Sequence, residues 1–369
     1  MSRVVTLWLT DFRCYSGVEL TFAPGVTVVG GANGQGKTSL LEAVHWIATT
    51  RSFRGVPTSA LVRVGADRAV VRAAVESDGR EHLAEAELRI AGRDRVQVNR
   101  QALRRTRDLL GLLRVTVFAP DDLQLVKGGP SMRRDFLDDL LVVIAPRYEA
   151  VRADVEKVLK QRNALLKRGV RDATDGHTLD VFDEQLLVAG AQLVDGRRAL
   201  IERLLPAVRD AYAALATDTG TVDATYEAEW AEGAVGTKAD VEGELRAALA
   251  STRGRELERR VSLVGPHRDD WKLALNGLDA RLHASQGEQR SLALALRLGS
   301  HRTVRDVVGD DPVLLLDDVF SELDLDRARA LVANLPAAQT LLTTAVPLPD
   351  GIAPDRRFSV RDGAVEEEA

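Results

Sequence analysis

The chain has one cysteine, Cys14, in 369 residues. A single thiol excludes an internal disulfide and any cysteine-cluster metal site, and it suits a reducing compartment. Cys14 therefore reads as a small buried residue, not as a nucleophile. Aromatic residues are scarce as well: 8 Phe, 4 Tyr and 4 Trp leave few rings on which unpaired bases could stack. No stretch approaches 18 uninterrupted apolar residues, and the first six residues lack a leader pattern, so a cytoplasmic chain without membrane contact is expected. A basic excess is also missing, since 50 Lys and Arg stand against 55 Asp and Glu, for a net charge of −5 and a pI near 5.8. Contact with a polyanion must then come from a local surface. There is no internal repeat and no low-complexity segment.

What the chain does contain is the octapeptide Gly31, Ala32, Asn33, Gly34, Gln35, Gly36, Lys37, Thr38, which fills the template G-x-x-x-x-G-K-[ST]. Residues 25–30 read as a buried strand and 38–44 as a helix. The glycine-rich segment thus joins strand to helix, the setting in which backbone N–H groups and a helix dipole cradle phosphates. Lys37 is expected at the β- and γ-phosphates of a nucleoside triphosphate, and Thr38 is expected to place its hydroxyl on Mg2+. Far downstream, residues 311–318 form an apolar run ending in two carboxylates, as in a buried central strand whose carboxyl end meets a ligand. Adjacent strand residues point in opposite directions, which assigns Asp317 to the hydrated Mg2+ and Asp318 to the attacking water.

Ser285, Gln286, Gly287, Glu288, Gln289 and Arg290 open an Ala/Leu-rich helix, and a small hydroxyl with a glycine at a helix start makes another anion site. Phosphate loop, this segment, acidic strand and then Ser321, Glu322, Leu323, Asp324 follow the order of the ABC-type ATPases, which the chain resembles. Further blocks carry a narrower likeness: Asp11 to Tyr15, Ser52 to Arg54, Phe118 to Leu123, Arg133 to Asp138 and Gly265 to Asp270. Over about residues 3–344 they resemble the RecF family of bacterial recombination mediators.

The resemblance implies an α/β fold, an ABC-type ATPase head with a mixed sheet flanked by helices, an antiparallel β subdomain and a short inserted helical arm. It implies two ATP molecules, with Mg2+, sandwiched in a homodimer: Ser285, Gly287 and Glu288 of one head close over the ATP held by residues 31–38 of the other. Arg13 is expected to touch the phosphates. Thr343 and Thr344 stand where ABC ATPases usually carry a switch histidine, so hydrolysis should be slow and act as a timer. The implied partners are gapped or junction DNA, RecR and RecO, and the implied outcome is RecA loading in repair, replication restart and the SOS response. An SMC-like structural tether and an ABC transporter ATPase subunit are the alternatives from other classes.

The expected division is 1–128 and 256–369 for the two parts of the head, with 129–255 as the arm. Alternating residues at 69–76, 85–90 and 93–98 predict antiparallel strands beside the nucleotide core. Between 133 and 171, ten Lys or Arg stand against six acids on a background of apolar residues at helical spacing. A break at 169–178 and a second apolar run at 179–205 predict a helical hairpin. Fewer than 250 residues separate Thr38 from Ser285, so this arm is short. Arg133, Arg134, Lys157, Lys160, Arg162, Lys167 and Arg168 are its candidate DNA contacts, acting on phosphates more than on bases. A strand is expected at 221–230, a helix at 238–259, a turn shaped by His267 and a frayed acidic tail at 366–368.

Overall fold

The computed structural model describes residues 2–216, 220–231 and 237–368. The chain divides into two compact units: Met1–Leu123, Ala207–Gly220 and Arg290–Ala369 form the first, Gln124–Pro206 and Thr221–Gln289 the second.

From the amino end run β1 (Arg3–Phe12), β2 (Tyr15–Thr21), β3 (Val26–Gly30), α1 (Lys37–Thr49), β4 (Arg68–Ser77), β5 (Arg80–Arg89), β6 (Arg95–Val98), β7 (Gln101–Ala102) and β8 (Val115–Phe118). Next come α2 (Leu123–Lys127), α3 (Pro130–Ile144), α4 (Tyr148–Arg168), α5 (Ala173–Leu215), β9 (Val222–Glu227) and α6 (Lys238–Arg259). They are followed by β10 (Asp270–Leu275), β11 (Leu278–Asp279), α7 (Ala280–His283) and α8 (Gln286–Val308). The last elements are β12 (Val313–Asp317), α9 (Leu325–Asn334), β13 (Thr340–Thr344), β14 (Arg356–Arg361) and β15 (Ala364–Glu368).

In the first unit one sheet has the order β15-β14-β3-β13-β12-β8, parallel throughout except for the antiparallel edge strand β15. Every residue of β12 and β13 is buried, as the unbroken apolar run of a covered parallel strand requires. The other sheet, β2-β1-β4-β5-β6-β7, is antiparallel, and its alternation of buried and exposed residues follows the period of two in the sequence. Helix α1 contributes Leu40, Val44, Trp46 and Ile47 to one core shared with Leu7 and Val71 of the antiparallel sheet and Leu315 and Leu341 of the parallel one. The unit is thus mixed α/β with an antiparallel subdomain beside the nucleotide core.

The second unit is mainly helical. Its small antiparallel sheet β11-β10-β9 carries Trp271, whose ring stacks on Phe136 of α3 at 5.8 Å. Leu165 and Leu166 of α4 pack with Leu179 of α5 beneath the break that separates the two helices. The second helix is longer than the 179–205 run suggests, because it continues through Pro206. A proline there removes an intrahelical donor and leaves the Glu202 carbonyl without its usual N–H. Among the described residues no helix is long and apolar enough to cross a membrane.

Two expectations are corrected. Cys14 is exposed, lying in the tight β1–β2 turn between Arg13 in the left-handed region and Tyr15, which takes the buried position instead. Residues 366–368 are not a frayed tail: they belong to β15, where Glu367 and Glu368 pair with Arg356 and Arg357 of β14.

Candidate functional site

Parallel register brings the site together. Gly30 at the end of β3 lies opposite Thr344 of β13, and Thr343 lies opposite Asp317 of β12, so the loop after β3 and the acids after β12 meet at one carboxyl edge. The loop can curl there only because of its glycines. A Cβ on Gly31, whose φ is +147°, would fall 2.6 Å from the Val360 carbonyl oxygen; one on Gly36 (φ +109°) would fall 2.4 Å from Cys14 Sγ. Gly36 caps α1 with no side-chain hydrogen bond, which leaves the first N–H groups of the helix open toward an anion. Gln35 Oε1 accepts the Asp362 N–H at 2.5 Å, which ties the loop to the β14–β15 turn.

Lys37 is only 5% exposed, and its Nζ donates to the Gly31 and Ala32 carbonyls at 2.8 and 2.9 Å. Among the described residues it has no carboxylate partner. A buried ammonium held by neutral dipoles alone is undercompensated, and a phosphate is the missing charge. Thr38 Oγ1 donates to Asp317 Oδ1 at 2.8 Å, and Thr343 Oγ1 donates to the same oxygen at 2.7 Å. Burial raises the Asp317 pKa, and the two hydroxyl donors offset part of that shift. A hydroxyl and a carboxylate within hydrogen-bond reach are the hard oxygen donors that Mg2+ takes. No group of three or more His, Cys, Asp or Glu among the described residues could hold a metal alone, so the fit is to an ion completing its shell with phosphate and water.

Asp318 turns out of the sheet. Its φ of 48° and ψ of 29° place it in the left-handed region, tolerated by Asp better than by most side chains. Its N–H donates to the Thr343 carbonyl and hydroxyl at 3.1 and 3.0 Å, and its Oδ1 accepts from the Ala345 N–H at 3.2 Å. The two adjacent acids therefore differ: Asp317 is buried and bonded inward, Asp318 is partly open at the edge.

Arg13, expected at the phosphates, is engaged elsewhere in this geometry. Its Nε and a terminal nitrogen grip both oxygens of the fully buried Glu42 at 2.8 Å, its other terminal nitrogen donates to the Ala60 carbonyl, and Ser52 Oγ also donates to Glu42. Ser285, Gly287 and Glu288 lie in the second unit. There Ser285 Oγ accepts the Glu288 N–H at 3.3 Å while Glu288 accepts the Ser285 N–H at 2.6 Å, a reciprocal cap that starts α8.

The basic residues of the arm divide. Arg133 is buried and forks onto Asp270, both bonds 2.9 Å; Arg162 is fully buried between Asp183, Glu256 and Ser262. Neither can reach DNA without unfolding its surroundings, so both are withdrawn as contacts. Arg134 donates to the Asp269 carbonyl from a half-buried position, and Arg168 pairs with Asp175. Lys157, Lys160 and Lys167 are exposed along α4 with no ion-pair partner among the described residues.

Thr343 is the site residue whose role sequence reasoning missed. The sequence shows there only the lack of a switch histidine, whereas the hydroxyl bridges Asp317 and the Asp318 backbone, a fact set by strand register. His267 lies in the turn after Gly265, its Nε2 3.3 Å from the Ser262 carbonyl, and burial pushes its pKa down to about 4.

Comparison with known proteins now adds to this geometry. Residues 3–345 match the family model described as the RecF/RecN/SMC N-terminal domain. The chain is 45% identical over 373 residues to the DNA replication and repair protein RecF of Streptomyces avermitilis, covering 99% of each. To RecF of Acidothermus cellulolyticus it is 45% identical over 365 residues, covering 97% of this chain and 98% of the relative. A solved structure of the recombination mediator protein RecF with ATP, in the RecFOR pathway, superposes with a TM-score of 0.93 at 31% identity, covering 100% of this chain and 98% of that one. The Smc head domain of Pyrococcus furiosus, bound to part of ScpA, shares the fold at a TM-score of 0.57 and 16% identity, covering 100% of this chain and 96% of that one. With the phosphate loop, the acidic strand and near-full-length identity in agreement, the chain belongs to the RecF family of the RecF/RecN/SMC group.

Proposed function

We propose that the chain is an ATP-dependent DNA clamp of the RecF type, in which ATP with Mg2+ joins two heads on gapped or junction DNA and slow hydrolysis releases them. The observation that carries the reading is Lys37: a buried ammonium satisfied only by loop carbonyls, at the amino end of α1 and beside the Thr38–Asp317 pair. A triphosphate supplies the charge this arrangement lacks. Mg2+ bound by Thr38 and Asp317 would neutralise charge on the β- and γ-phosphates. Asp318, at the open edge with its backbone fixed by Thr343, is in a position to polarise water, and Thr343 carries no charge with which to assist. Slow turnover follows, and ATP acts as a conformational ligand. Driving such a two-state clamp from 1:99 to 99:1 requires about 5.5 kcal/mol of differential binding, within reach of two buried triphosphates.

The relatives named above are DNA replication and repair proteins, and the solved RecF structures belong to the RecFOR pathway. By that kinship the partners are RecR and RecO, and the outcome is RecA loading in recombinational repair. The test is the light-scattering mass of Asp318→Asn with Mg2+ATP, with and without gapped DNA, beside Lys37→Met. Dimer mass that needs ATP and Lys37, and that DNA reinforces, is the expected result. Lys37→Met should weaken ATP binding about a hundredfold, the loss of charge-assisted bonds in a buried site. Monomers under every condition, or dimers without ATP, would remove the clamp.

A further inference from the structure

A denser positive stretch than the arm's lies in the first unit. Residues 93–107 hold six Arg (93, 95, 100, 104, 105 and 107) against one acid, Asp94, whereas residues 133–171 spread an excess of four charges over more than twice the length. The stretch runs along β6, through a two-residue turn at Asn99 and Arg100, back along β7 and on toward the buried Leu109.

Elsewhere around this sheet guanidinium groups meet carboxylates: Arg3 with Glu76, Arg63 with Asp11, Arg72 with Glu85, and both Arg68 and Arg89 with Glu87. Beyond β5 the acids run out. Glu87, which lies opposite Arg95 in the strand register, is held by Arg68 and Arg89, and Asp94 turns one oxygen to the Arg89 N–H at 3.0 Å. None of the six arginines has an ion-pair partner among the described residues; five are exposed and Arg107 is half-buried.

The backbone beneath them is braced. Asn99 donates its N–H to the Leu83 carbonyl at 2.9 Å and its Oδ1 accepts the Leu83 N–H at 2.8 Å. The Leu103 N–H reaches the Val96 carbonyl at 2.9 Å, which returns the chain at Arg104 to the end of β6 where Arg95 stands. Val96 is buried in the core and Leu103 packs against it. Arg100 has a φ of 66°, in the left-handed region, at the turn position that favours glycine. A charge held there against local preference points to a use for it. Charge that only guarded the open sheet edge would sit on the edge strand, yet β7 is Gln101 and Ala102.

The exposed residues of the stretch are Arg, Asn, Gln and one Ala, so it offers no apolar anchor to a protein and no ring on which a base could stack. Arg, Asn and Gln side chains are donors to phosphate and sugar oxygens. We propose that residues 93–107 form a contact surface for the phosphate backbone of duplex DNA, an assignment that rests on the DNA-clamp reading above.

The test is binding of a labelled DNA duplex to the full chain over a series of salt concentrations, with ATP and Mg2+ present and Asp318→Asn blocking hydrolysis. Arg95→Gln, Arg104→Gln and Arg105→Gln together should lower the slope of log affinity against log salt by about 2.7, at about 0.9 for each phosphate contact. Removing three paired charges instead, by Arg3→Gln, Arg63→Gln and Arg72→Gln, should leave the slope unchanged. ATP-dependent dimer mass should persist in both. Arg100→Gly should lower the slope by about 0.9 while raising the urea midpoint, because glycine accepts the left-handed turn; weaker binding in a protein that is no less stable cannot come from misfolding. An unchanged slope in the first triple variant, an equal fall in the second, or tighter binding of duplex RNA of the same sequence overturns the proposal and leaves the ATP-dependent dimer standing. A parent protein that binds no DNA removes the clamp reading and this surface with it.

Discussion

The nucleotide core and the arm use charge in opposite ways. At the core, Lys37 is buried against carbonyls and Asp317 against two hydroxyls, and neither has an ion-pair partner among the described residues. In the arm the buried arginines are matched: Arg133 with Asp270, Arg162 with Asp183 and Glu256, Arg197 with Asp138. The ATPase motif thus leaves charge open to a ligand, while the basic segment of the arm spends much of its charge on its own fold. A count of Lys and Arg measures what the chain carries, not what it presents.

The largest effect that would break this comparison is at Arg162. Arg162→Leu leaves Glu256, which is fully buried, with the Leu263 N–H at 2.7 Å on its other oxygen as the one remaining partner of its side chain among the described residues. Breaking a buried pair from one side costs about 3–5 kcal/mol. Urea unfolding should record that loss, and Arg162→Leu with Glu256→Leu should recover most of it, since two apolar side chains strand no charge. Unchanged stability in the single variant would mean that the arm's arginines are as free as the core's lysine.

This contrast also separates what could be read in advance from what could not. Residues 31–38 and the strand ending at Asp317 were legible because each motif is contiguous and its chemistry depends on local backbone geometry. The 238–259 helix was expected from the sequence too, and in the structure Thr237 caps it by accepting the Asp240 N–H. The Thr343 bridge was not, because it depends on which strand lies beside β12 and in what register. The fate of Arg133 and Arg162 was hidden for the same reason: Asp270 lies 137 residues beyond Arg133, Asp183 and Glu256 lie 21 and 94 residues beyond Arg162, and a long side chain on an amphipathic helix can face either way. Tyr15, not Cys14, fills the core at the first turn, a choice made by a left-handed Arg13 that the local sequence does not announce.

A smaller effect sharpens the comparison through pH. Asp269 of the arm accepts from Tyr226 Oη at 2.5 Å and Trp230 Nε1 at 2.6 Å, yet burial outweighs these bonds and pushes its pKa up to about 6. The unfolded value is about 3.9. A carboxyl with a raised folded pKa contributes stability that is fully present below the unfolded value and lost as pH rises through the folded one. Stability should therefore fall by on the order of 2 kcal/mol between about pH 4 and pH 6 on account of this group. The difference between wild type and Asp269→Asn, measured by urea unfolding at each pH, isolates it. A difference flat across that window would show that Asp269 is ionised without cost, a charge as well accommodated as those in the arm's ion pairs.

The smallest expected effect on the fold concerns the residues that remain free. Lys157, Lys160 and Lys167 sit at i, i+3 and i+10 on α4, one exposed helical stripe. Replacing all three by Ala removes no buried partner, so stability should change by less than about 0.5 kcal/mol. If the stripe tracks a phosphate backbone, each lost contact lowers the slope of log affinity against log salt by about 0.9 on duplex DNA, and the triple variant should lose between two and three such contacts. Titrations of gapped duplex at several salt concentrations, with ATP present and hydrolysis blocked by Asp318→Asn, give that slope directly. An unchanged slope would place the DNA contact off α4. A reduced slope with intact stability would identify the charge that the arm presents, set apart from the charge it has folded away.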